Sequence, residues 1–114
     1  MQLIDGAGQF TSPGDAPNHY VEQFRAPELS VGTYSIPADG EDDQTPHTED
    51  EIYVVSRGRA RLVAGQPGAE TAVEVGPGSV AYLPAGEPHR FVDMADDLAI
   101  LVFFAPPYRS RAQY

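Results

Sequence analysis

From residue 20 onward the chain is cut into short runs of β-forming residues, at 20–25, 29–36, 51–57, 59–64, 71–75, 79–83, 89–94 and 98–105, with no segment of helix length that keeps a helical apolar period. Runs this short at this spacing predict an all-β sandwich or barrel. Eleven prolines and eleven glycines, most of them between the runs, supply the turns. Arg57-Gly58 and Ala95-Asp96-Asp97 read as hairpin turns, residues 65–68 as a longer loop and residues 76–78 as a tight turn. Residues 1–19, rich in Gly and Pro, predict a loosely docked arm. The domain proper is then expected over 20–105, and the tail 106–114, set off by two prolines, is expected to cross to a partner subunit or to fray.

At 114 residues the chain has room for one core. It has no cysteine, which excludes disulfide scaffolds, thiolate zinc sites and cysteine nucleophiles together, so any metal must sit on nitrogen and oxygen. Seventeen acidic against seven basic residues give a formal charge of −10, which repels polyphosphate and argues against nucleic acid as a partner. No apolar run approaches the roughly 18 residues of a membrane-spanning helix, so no membrane partner is expected. The opening residues 1–6 lack the basic and apolar regions of a signal peptide, and a cytoplasmic location is the expectation.

Chemistry concentrates in Thr45-Pro46-His47-Thr48-Glu49-Asp50-Glu51, which runs directly into Ile52-Tyr53-Val54-Val55. In an extended strand alternate side chains share a face, so His47, Glu49 and Glu51 would project together. A second histidine, His89, follows the turn-rich Pro84-Ala85-Gly86 and joins them if that turn faces the first strand. The acids from Asp39 to Glu51 are either a solvated loop or a negative rim that draws cations inward. Tyr34, Tyr53, Val55 and Phe91 are core residues or the wall of an apolar pocket, and in a small barrel the two roles merge. Arg59, Arg61 and Arg90 could neutralise an anionic ligand, but Arg59 and Arg61, beside a hairpin, read more simply as surface residues, and His19 reads as a surface or packing residue.

These residues resemble the two motifs of the cupin family. The second motif runs Gly, five residues, Pro-x-Gly, two residues, His, three residues, Asn; Gly78, Pro84, Gly86 and His89 keep every spacing, with Asp93 in place of the terminal Asn. In the first motif Glu51 and Gly58 keep their six-residue gap and His47 takes the place of the second histidine. The first histidine is replaced by Thr45, and the leading glycine is displaced by one, to Gly40. The resemblance spans about residues 29–105 and implies a double-stranded β-helix, a jelly-roll barrel of two antiparallel sheets with the site inside it.

The same resemblance implies one divalent transition metal, iron, manganese, nickel or zinc, on His47, Glu51 and His89, with positions left open for a ligand. Glu49 is then either a fourth ligand or an acid/base group, Thr45 a partner of a metal-bound water, and Tyr53 a residue that positions substrate. Two functions stay open: an enzyme on a small organic molecule, as an oxygenase, isomerase or decarboxylase, and a barrel that binds a small ligand without chemistry. A homodimer is expected from the apolar C-terminal strand and from the segment 20–25, which has no evident partner within one barrel.

Overall fold

The computed structural model describes residues 1–110 and contains eight strands: β1 (His19–Arg25), β2 (Ser30–Ile36), β3 (Asp50–Arg57), β4 (Ala60–Ala64), β5 (Thr71–Val75), β6 (Val80–Leu83), β7 (His89–Val92) and β8 (Leu98–Ala105). They form two antiparallel sheets, one of five strands in the order β1-β2-β8-β3-β6 and one of three in the order β5-β4-β7. The expected all-β jelly-roll barrel is what the chain adopts.

Strand parity decides what faces the interior. Along β8, Leu98, Ile100, Val102 and Phe104 are at most 2 % exposed, and along β3 the buried positions are Glu51, Tyr53 and Val55. The three-stranded sheet closes the barrel with Ala60, Leu62, Val75 and Phe91. Tyr53 and Phe91, on different sheets, meet across the core with ring centroids 5.2 Å apart. Gly32 makes room for Tyr20, because a Cβ there would lie 2.1 Å from the Tyr20 hydroxyl oxygen.

Two turns act differently from the sequence expectation. Gly58-Arg59 and residues 93–97 join strands of different sheets, so they are corners of the barrel and not hairpins. A tight-turn signal specifies a reversal but not which sheet receives the next strand. Residues 65–68 do close a hairpin, between β4 and β5. The segment 20–25 also differs: it lies within β1, which pairs with β2 of the same chain from His19↔Ser35 to Arg25↔Ser30. It therefore leaves no unpaired strand to argue for a dimer.

The N-terminal residues lie against the outer face of the larger sheet. The amides of Gly8 and Thr11 donate to Thr33 Oγ1 at 2.8 Å and Ser35 Oγ at 3.1 Å, which accounts for β2 being buried along its whole length. At the other end, the Tyr108 amide donates to Ser30 Oγ at 2.9 Å, and the Tyr108 ring stacks on Phe104 at 4.7 Å. Residues 106–110 of the expected tail thus fold back onto their own barrel; residues 111–114 lie outside the described residues.

Candidate metal centre

β3 and β7 belong to facing sheets, and their inward parity sets Glu51 and Tyr53 on one wall and His89 and Phe91 on the other. His47 comes from the loop before β3. Its position is tied to the second motif by the Gly86 amide, which donates to the His47 carbonyl at 2.8 Å. Gly86 has φ +83°, a left-handed conformation that glycine adopts without a Cβ penalty. Asp93 stands where the family pattern has asparagine and has φ +53°; both residue types tolerate that region, so the exchange preserves the corner.

Ligand atoms of His47, Glu51 and His89 all lie within 4.8 Å of one another. Glu51 Oε1 is 3.0 Å from His89 Nε2 and 3.8 Å from His47 Nε2, and the Glu51 side chain is 1 % exposed. Neither Glu51 oxygen accepts a well-aligned hydrogen bond. A buried carboxylate in that condition needs a cation, either a protonated imidazole or a metal. His89 Nδ1 lies 2.9 Å from the Glu87 carbonyl, which can only accept, so the neutral ring keeps its proton on Nδ1 and turns the Nε2 lone pair to the cluster. Two imidazoles and one carboxylate, with no thiolate, suit a divalent transition metal.

The two histidines are tuned apart. Burial lowers the His47 pKa below its ordinary 6.5, with Glu51 opposing the shift and His89 adding to it, so this ring is neutral at pH 7. For His89 burial also acts downward, but the hydrogen bond that a protonated Nε2 would donate to Glu51 and the charge of Glu51, with the Glu87 carbonyl, outweigh it and the pKa is raised. Protons therefore compete with metal at His89 from above pH 6.5. Apparent metal affinity is expected to fall about tenfold between pH 6 and pH 5, measurable by competition with a chromophoric chelator. Metal-free stability runs the other way: the raised pKa stabilises the fold below the unfolded value, and that contribution is lost as pH rises through the folded value.

The other residues named from sequence are placed as follows. Tyr53 is at the site, 1 % exposed, with its hydroxyl 3.0 Å from His89 Nε2 and 3.2 Å from Gln44 Oε1. Burial, then the charges of Glu51 and Asp42, push its pKa well up, so the phenol holds its proton. Glu49 is buried but outside the cluster: its carboxylate accepts from the Thr48 hydroxyl and from the Arg109 amide, the latter at 3.2 Å. Shared parity with His47 and Glu51 fails because regular strand begins only at Asp50. Thr45 is exposed.

Two residues that the sequence reading left within the acidic loop complete the site. Gln44 directs Oε1 at His47 Nε2, 2.7 Å away. Asp42, read as part of an acidic loop, is 8 % exposed and accepts from the Tyr34 hydroxyl at 2.7 Å, the Phe91 amide at 2.8 Å and Gln44 Nε2 at 2.8 Å. An acid two residues from a glutamine next to a ligand histidine was the available signal, masked by the surrounding exposed acids. A cavity of about 230 Å³ opens beside the cluster, lined by Tyr20, Tyr34, His47, Glu51, Tyr53, Phe104 and Tyr108 among others.

Comparison with known proteins bears on the fold and the family. An uncharacterized protein of Streptomyces coelicolor is 43 % identical over 88 residues, 77 % of this chain and 80 % of that one. The structure of KdgF from Halomonas sp. matches with a TM-score of 0.68 at 18 % identity, covering 86 % of this chain and 85 % of that one. The DMSP lyase DddQ from Ruegeria pomeroyi matches with a TM-score of 0.69 at 19 % identity over 92 % of this chain, which spans 54 % of that longer one. Residues 32–104, well over half of the chain, match the family model described as Cupin domain, and the chain belongs to the cupin family.

Proposed function

We propose that this cupin is a metal-dependent enzyme acting on a small organic molecule, of the oxygenase type. The observation that carries the reading is the buried Glu51 carboxylate, 3.0 Å from His89 Nε2 and without a well-aligned hydrogen bond, at the wall of a cavity of small-molecule size. His47, Glu51 and His89 would hold the ion. When bound, it supplies Lewis-acid chemistry or dioxygen activation at its open positions.

The chain's own groups favour chemistry without a protein base. Asp42 is committed to three donors and Glu49 points elsewhere, while the Tyr53 phenol keeps its proton. Tyr53 is suited to donate a hydrogen bond to an oxygen of the substrate, and Tyr20, Phe104 and Tyr108 to exclude water around its apolar part. DddQ, named a DMSP lyase, is a fold relative, and lyase or isomerase chemistry is the nearest variant.

Protein reloaded anaerobically with iron(II) should bind nitric oxide as a reporter of open positions, and should consume dioxygen only with its small-molecule substrate present. Loaded protein that binds small chelating acids but never turns them over would instead be a binding barrel. The same reading includes a homodimer, supported by the exposed Val80 and Tyr82 on the edge strand β6 and by Val73 on β5. Sedimentation at micromolar concentration should give twice the chain mass.

A further inference from the structure

The family pattern has a histidine where this chain has exposed Thr45, which leaves the ligand set one donor short. We infer that Gln44, through its side-chain oxygen, is the fourth protein ligand of the metal; the inference rests on the proposed metal site and deepens it. Gln44 Oε1 lies 2.7 Å from His47 Nε2, the nitrogen that also faces Glu51, and 3.2 Å from the Tyr53 hydroxyl.

The orientation of the amide is fixed from behind. Gln44 Nε2 donates to Asp42 Oδ2 at 2.8 Å and the Gln44 backbone amide to Asp42 Oδ1 at 3.3 Å, while Asp42 is itself held by Tyr34 and by the Phe91 amide. Because a carboxylate can only accept, the amide nitrogen faces Asp42 and the oxygen faces the cluster. That oxygen has its closer donor only while His47 carries its proton on Nε2; the Tyr53 hydroxyl, at 3.2 Å, is the longer one. A metal on His47 Nε2 requires the other tautomer, which takes the closer donor away and leaves a lone pair of the Gln44 oxygen for the ion. The alternatives, exposed Thr45 and buried Glu49, whose carboxylate accepts from the Thr48 hydroxyl and the Arg109 amide, lack this geometry.

Exchange of an imidazole for an amide keeps the net charge of the ligand set and replaces a nitrogen donor by a harder oxygen, which favours manganese or iron(II) over nickel or zinc. Two variants test it, compared with wild type by metal titration and by pulsed electron paramagnetic resonance of the copper(II)-loaded protein, which counts coordinated imidazoles. Gln44→Ala is expected to weaken manganese(II) binding at least about tenfold. Gln44→His is expected to raise the count from two imidazoles to three and the zinc-to-manganese affinity ratio at least about tenfold. Unchanged manganese affinity in Gln44→Ala, or two imidazoles in Gln44→His, would overturn the assignment while leaving the three-residue site standing. Wild-type protein that takes up no metal would overturn both.

Discussion

Replacing His89 with alanine is expected to remove most of the stabilisation that a divalent metal confers, with apparent affinity falling by at least about 100-fold. Loss of a residue that merely orients a ligand costs about 10–100-fold, and His89 is itself a donor, with Nε2 3.0 Å from Glu51 Oε1 and its tautomer set by the Glu87 carbonyl. In wild type, free metal at about 1,000 times its dissociation constant adds about 4 kcal/mol to stability. His89→Ala at the same metal concentration should gain no more than about 1.4 kcal/mol. The metal-free fold should suffer less, because β7 still pairs with β4 along Arg61↔Val92 to Ala64↔His89 through backbone groups. Thermal melts with and without manganese(II) check both halves. A metal-induced rise in the variant equal to that of wild type would place the ion elsewhere.

The second large effect belongs to a residue that is not itself a ligand. Asp42→Ala is expected to destabilise the metal-free protein by about 3 kcal/mol, because hydrogen bonds to a buried charged group contribute about 1.5–3 kcal/mol each and are not additive. It strips the Phe91 amide and the Tyr34 hydroxyl of their acceptor inside the barrel, at 2.8 Å and 2.7 Å, and releases the loop that carries Gln44 and His47. In a domain of this size that corresponds to a fall in melting temperature of roughly 10–20 °C. Asp43→Ala, which removes an exposed acid next door, should move it by less than about 2 °C. Equal effects at the two positions would return residue 42 to the solvated rim.

Those two residues mark where the sequence was legible and where it was not. Strands show in the alternation of β3 and β8 and in the Gly and Pro between runs, because period-two burial writes itself directly into residue type. Glu51 and Tyr53 could be placed for the same reason, since each sits in regular strand with its face fixed by its neighbours, while His89 was placed by the turn and spacing of the second motif. The loop between Ile36 and Asp50 follows no period, so parity arguments run through it fail. Glu49 turns towards Arg109, and Asp42 goes inward although its acidic neighbours do not. Which sheet a corner leads to is likewise a matter of long-range pairing, so the turns at Gly58 and Asp96 looked like hairpins. The fold-back of Tyr108 onto Phe104 is also set by tertiary contact.

The most direct test of the site is metal content. Protein stripped with chelator, incubated anaerobically with iron(II) or manganese(II) at pH 7.5 and desalted should retain close to one ion per chain by elemental analysis, and His47→Ala plus His89→Ala should retain almost none. Wild-type protein that comes through with no metal, or a double variant that keeps its ion, would contradict a centre built on His47, Glu51 and His89.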